Sequence, residues 1–266
     1  MSFGRAHLFA GISVLLVIAG CADGDAPPPG PADLAGARWE DLGPVRLLAD
    51  GEAAPQDEGG EAPAAMPPAP ARPGEVVMRL VDVDGRRMHR VTVPRTSFAA
   101  AAAEVDRLAL DRGSWPGPAE DQADGRLSFG WSGDDDSRIR FTNTTAYPFR
   151  AIGTLGACTG TRIGPRVVLT AAHCLYSQAT GAWKSVTFTP GRNGANSAPY
   201  GSSGASWYWV PDGYITGASG LNGYDIGIVV LAQPVGNGWM GYGAWTGPFL
   251  REQDVYMRGY PQCALP

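Results

Sequence analysis

From residue 138 onward the sequence predicts an all-β fold, built as a small antiparallel barrel. Three observations predict it. Short apolar runs recur at 151–155, 160–163, 166–169, 185–189, 206–210 and 226–231. The residues between them are rich in Gly, Pro, Asn and Ser, which favour turns by left-handed backbone, fixed φ or local side-chain hydrogen bonds. Six such runs in a row fit one closed barrel. Residues 171–175 interrupt the pattern and are expected to make a single helical turn. After the last run about 30 residues remain, enough for two strands and too few to close a second barrel.

The chain before this barrel divides into three parts. Val76 to Val83 and Arg86 to Val93 are β-prone runs flanking Asp84-Gly85, a favoured two-residue hairpin turn. Pro94 ends the second run, Ser97 can cap a helix over 98–110, and Gly113 can stop it. Residues 76–135 are thus expected to form a small α+β unit. It serves either as a pro-segment that assists folding or blocks a cleft, or as a plain spacer. Residues 125–137 would hold an activation cleavage point.

Residues 22–75 carry 11 acidic and 3 basic side chains, with 11 prolines and 8 glycines. A stretch of that composition buries too little apolar surface to offset its chain entropy, so a disordered tether is expected there. Residues 1–21 have the form of an export signal: a basic start at Arg5 and His7, then an apolar run from Leu8 to Ala19 too short to span a bilayer comfortably. Ile18-Ala19-Gly20-Cys21 resembles a bacterial lipobox. The resemblance implies a diacylglyceryl group on Cys21 and a lipoprotein anchored at a cell surface or facing the periplasm. Release after processing would give a secreted form. The incidental-cysteine reading is an ordinary cleaved signal. Net charge is −5 overall, yet 138–266 hold 4 acidic and 9 basic residues. That basic excess is modest and has no interleaved aromatics, so no nucleic-acid partner is read.

The chemistry concentrates in Thr170-Ala171-Ala172-His173-Cys174 at the end of an apolar run, and in Asp225 heading the run Ile226 to Leu231. A serine hydroxyl attacks only when a histidine takes its proton, and that imidazole needs a carboxylate to orient it. His7 lies in the signal and His89 in an Arg-rich hairpin, leaving His173 as the candidate base. Of Asp212, Asp225 and Asp254, only Asp225 heads an apolar run, and Asp212-Gly213 reads as a plain turn. The alternatives are a buried structural histidine and a turn-capping aspartate.

These motifs, with Asp135 to Arg140, Asn143 to Ile152, Gly236 to Gly243 and Gly259-Tyr260-Pro261 in order, resemble the trypsin-like serine protease family. The similarity is to its bacterial glutamyl-endopeptidase-like branch. The resemblance implies a trypsin-like double β-barrel over 136–266, with the first barrel complete and the second truncated. It implies peptide-bond hydrolysis through an acyl-enzyme, with His173 and Asp225 as catalytic residues and protein or peptide as substrate. It also implies a disulfide between Cys158 and Cys174. No cofactor or metal is indicated, and a monomer is expected.

The 41 residues after Asp225 contain no serine, so the nucleophile is expected outside this chain. Ser202, Ser203 and Ser219 lie in Gly-rich turns of the first barrel, and Cys263 lacks a surrounding Gly-x-Cys-Gly loop. Cys263, left without a partner, adds to the expectation of a C-terminally incomplete precursor that is itself inactive. The competing readings are a pseudoprotease acting as a surface binding module and a structural lipoprotein working through 76–135.

Overall fold

The computed structural model describes residues 36–48, 74–98, 140–217, 224–241 and 257–260. The strands are β1 (Arg38–Pro44), β2 (Leu47–Leu48), β3 (Glu75–Asp82), β4 (Arg87–Pro94), β5 (Ile152–Leu155), β6 (Cys158–Arg162) and β7 (Val167–Thr170). They continue with β8 (Tyr176–Ser177), β9 (Ala182–Lys184), β10 (Thr187–Pro190), β11 (Ser203–Pro211) and β12 (Gly227–Leu231). One short helix, α1 (Asp212–Ile215), follows β11.

Six strands form a closed ring in the order β11-β10-β5-β6-β7-β12, with β12 pairing back onto β11. This closed six-strand barrel is the one expected, and every run read from the sequence overlaps one of its strands. Closure requires small residues where the wall is tightest. At Gly160 a Cβ would stand 2.6 Å from Val168 Cγ1 and 3.2 Å from Phe188 Cε2, so the missing side chain makes room for that ring. Alternate residues of single strands serve opposite faces. Tyr208 and Val210 of β11 join Val229, Leu231, Val168 and Phe188 in the barrel core. Trp209 joins Ile228 and Val230 in a second apolar cluster. All five residues of β12 are buried, which explains its unbroken apolar run.

The hairpin expected over 76–93 is present, with β3 and β4 in antiparallel register from Glu75↔Pro94 to Asp82↔Arg87. It is not a separate unit. β3 pairs with β11 from Trp207↔Asp82 to Pro211↔Met78, so the barrel sheet runs on into the hairpin. Val81 enters the barrel core, while Met78, Leu80, Val91 and Val93 supply most of the second cluster. Arg79, buried on the barrel side, forms an ion pair with buried Asp212 at the start of α1.

The tether expectation over 22–75 needs correction within 36–48. β1 pairs with β4, and β2 pairs in parallel with β9. Averaged composition hid a local pattern: Trp39, Val45, Leu47 and Leu48 alternate with charges that find partners on the hairpin. Glu40 accepts from Arg90 at 2.9 Å, Asp41 from Arg87, and Glu75 from Arg38 at 2.8 Å. Leu48 is buried, and Val45 and Leu47 pack against the barrel core. The Pro-rich part of the tether, all but the first residue of the helix expected over 98–110, the 125–137 stretch and most of the residues after β12 lie outside the described residues.

Candidate active site

His173 sits on the short helical turn Ala172–Cys174 directly after β7. The turn is closed by Cys174 N–H donating to Ala171 O at 3.1 Å and Leu175 N–H to Ala172 O at 2.9 Å. Ala172 and Leu175 are fully buried beneath it, leaving the histidine between them outward. The disulfide from Cys174 to Cys158 ties the turn to the first residue of β6, with Cα atoms 6.0 Å apart.

Register brings the aspartate to the histidine. β12 runs antiparallel to β7 with Gly227 opposite Thr170, so the residues before Gly227 come level with the turn after Thr170. Gly227 itself permits the approach. A Cβ there would stand 2.8 Å from Leu175 Cδ1 and 3.2 Å from Ala171 O. The Asp225 carboxylate then makes two contacts with His173: Oδ2 lies 2.7 Å from Nδ1, and Oδ1 accepts the backbone N–H at 2.9 Å. An ionised carboxylate can only accept, so Nδ1 carries the hydrogen and Nε2 is left with its lone pair. The imidazole is well exposed at 58%, whereas Asp225 is 22% exposed. An accessible basic nitrogen on a ring held from behind is the arrangement a general base requires.

Two neighbours carry no sequence motif. Lys184 on β9, the chain's single lysine, donates from Nζ to His173 O at 2.9 Å. Its own N–H donates to Leu175 O at 2.8 Å, so β9 holds the far end of the turn as well. Tyr214 on α1 has its phenol pushed up to about 12, first by burial, then by the Asp225 charge and by Tyr176. The one hint for Lys184 lay in composition, since every other cation of that long-chain type is arginine.

The remaining candidates fall elsewhere. Ser203 is buried in β11, donating to Gly204 O and accepting from Gln233 N–H, both at 3.0 Å. Ser202 is exposed at the entry to that strand. His89 lies between the rings of Trp39 and Trp207, at centroid distances of 6.0 and 6.3 Å, a packing role. Cys21, Ser219, Asp254 and Cys263 lie outside the described residues. Cys158, His173 and Cys174 bring three metal-ligand atoms together, but the two sulfurs are bonded to each other and neither is a thiolate.

Comparisons with known proteins find similar sequences over this part of the chain. Residues 138–255 match the trypsin family model. Over 133 residues the chain is 45% identical to a glutamyl endopeptidase of Bacillus licheniformis, covering 47% of this chain and 40% of the relative. It is 38% identical over 119 residues to a Bacillus subtilis protein named extracellular metalloprotease, covering 40% of this chain and 37% of the relative. A solved structure titled as a Glu endopeptidase in complex with MPD aligns at 32% identity and a TM-score of 0.33, over 36% of this chain and 46% of that one. The chain spans about two fifths of the length of the curated relatives it matches. Residues 138–255 thus resemble the trypsin-like serine proteases. Within that family the similarity is to a bacterial glutamyl endopeptidase.

Proposed function

We propose that this chain supplies the base half of a serine endopeptidase. The observation that carries it is the 2.7 Å contact between His173 Nδ1 and Asp225 Oδ2, with the imidazole exposed on its other side. His173 Nε2 takes the proton from a serine hydroxyl as that oxygen attacks the peptide carbonyl. It then returns the proton to the leaving amine, releasing the first product and an acyl-enzyme. In the second half, His173 takes a proton from water and returns it to the serine oxygen as the acid departs. Asp225 stabilises the imidazolium in both halves. In this reading the serine and the oxyanion donors are not supplied by these 266 residues, in which no serine follows Asp225. The 266-residue chain alone is therefore expected to hydrolyse no peptide.

Export, lipidation at Cys21, a zymogen form and a monomeric state complete the proposal. Export is supported by the apolar run at 8–19 and by a relative named extracellular. The test is to read the frame past codon 266 and express the extended protein. A Gly-x-Ser-Gly loop is expected there. Peptide hydrolysis should follow, lost on His173→Ala and reduced about 10⁴-fold by Asp225→Asn. A stop codon immediately after Pro266, with no hydrolysis by the purified protein, would replace this reading with a pseudoprotease that binds without cleaving.

A further inference from the structure

We infer that residues 38–48 and 74–94 are a permanent strand-adding subunit of the barrel, retained after cleavage of the segment that follows them, and not an inhibitor that covers His173. Two kinds of pro-segment can be told apart by where they bind. An inhibitor covers the reacting atoms. A structural subunit completes sheet and core and leaves those atoms open.

The contacts are of the second kind. β3 satisfies the backbone of β11 along Trp207–Pro211, where β10, paired only at Ser203 and Gly204, no longer reaches. Val83 N–H donates to Ser206 O at 2.9 Å, extending the seam by one residue. Val81 and Leu48 are buried, the first within the barrel core. Arg79 compensates the charge of Asp212, which is 4% exposed. Arg90 Nε lies 3.8 Å from the same carboxylate. Docking thus buries both members of the pair, and removing the Asp212 carboxylate from the docked protein would leave the Arg79 guanidinium buried without its principal partner.

The imidazole, by contrast, stays 58% exposed with the unit docked. Among the described residues the unit approaches the site from behind, through the shared core and through backbone hydrogen bonds. Trp183 N–H donates to Arg46 O at 3.2 Å and Ser185 N–H to Leu48 O at 2.8 Å, so β2 brackets Lys184. Lys184 in turn holds the His173 carbonyl. The docked unit therefore braces the histidine turn and does not cover it.

The test uses the full chain with a protease recognition sequence inserted between Gly125 and Ser137. After cutting, the two fragments should co-elute on size exclusion at about 1 μM. Asp212→Asn in the cut protein should weaken their association by about 100-fold or more. The uncut Asp212→Asn chain should keep its native circular dichroism, since the intact linker keeps the unit at high effective concentration. Separation of the wild-type fragments, or co-elution that Asp212→Asn leaves unchanged, overturns the inference. The readout is a molecular mass, so it stands or falls independently of whether the extended protein hydrolyses peptides.

Discussion

Asp212 and Asp225 stand thirteen residues apart at two different seams, and each is held by a cation or imidazole from far along the chain. Asp212 is almost fully buried against Arg79, while Asp225 is part-exposed against His173. The first joins the hairpin to the barrel; the second joins two loops at the barrel's rim. The difference teaches that burial, more than the number of contacts, divides a carboxylate that holds the fold from one free to serve chemistry. A buried ion pair is costly to break because the survivor cannot reach water. A pair at the surface can be lost with little penalty, since solvent takes over.

Substitution at the two positions should separate them most sharply. Asp212→Ala leaves the Arg79 guanidinium buried and is expected to destabilise the protein by about 3–5 kcal/mol. Asp225→Ala should change stability by about 1 kcal/mol or less. Urea denaturation of both variants checks this, and equal losses would break the distinction. Replacing Cys158 and Cys174 together by serine releases the site seam from β6. The expected loss is about 3 kcal/mol from the freed loop, read from the same titration and absent when the wild type is fully reduced beforehand.

Gly227→Ala probes the close packing beneath Asp225. Its Cβ meets Leu175 and the Ala171 carbonyl, and a cost of about 1–3 kcal/mol is expected from overpacking. A variant as stable as the wild type would show that the turn can yield. The smallest effect is electrostatic. Tyr214 should titrate near 12, above the ordinary 10.0, and Asp225→Asn should lower it by removing one of its causes. A raised phenol favours the protonated folded state, so its contribution to stability is complete below pH 10.0 and fades as pH rises through about 12. Absorbance of the phenolate in wild type, Tyr214→Phe and Asp225→Asn follows each step.

The site seam was legible in the sequence because each of its parts carries a local signature. Apolar β7 delivers the histidine, apolar β12 follows the aspartate, and two cysteines frame the turn. The six barrel strands were legible for the same reason. The hairpin's form was also visible from Asp84-Gly85, but its attachment to β11 was not. Asp212-Gly213 has the look of any turn, and nothing local to Arg79 names a partner 133 residues away. β1 and β2 were hidden by the prolines and acids around them, since a windowed composition cannot register four apolar residues whose partners lie on β4 and β9. Lys184 acts through a backbone carbonyl, a contact that leaves no residue pattern on the other side.

β1 has a colloidal consequence. Ring closure gives β12 a partner on both sides, so the nine-stranded sheet ends at β1 alone among the described residues. A terminal strand invites a second molecule to extend the ladder. Here that strand breaks register between Asp41 and Gly43 and carries Arg38, Glu40 and Asp41. The Arg87 guanidinium and the Gly43 N–H hold the Asp41 carboxyl below the ordinary carboxylate range, so its charge persists into acid. The more regular eight-residue strand β4 lies behind this charged, bent border. A polypeptide lacking residues 38–44 would present β4 outward, and self-association through that strand would set its solubility.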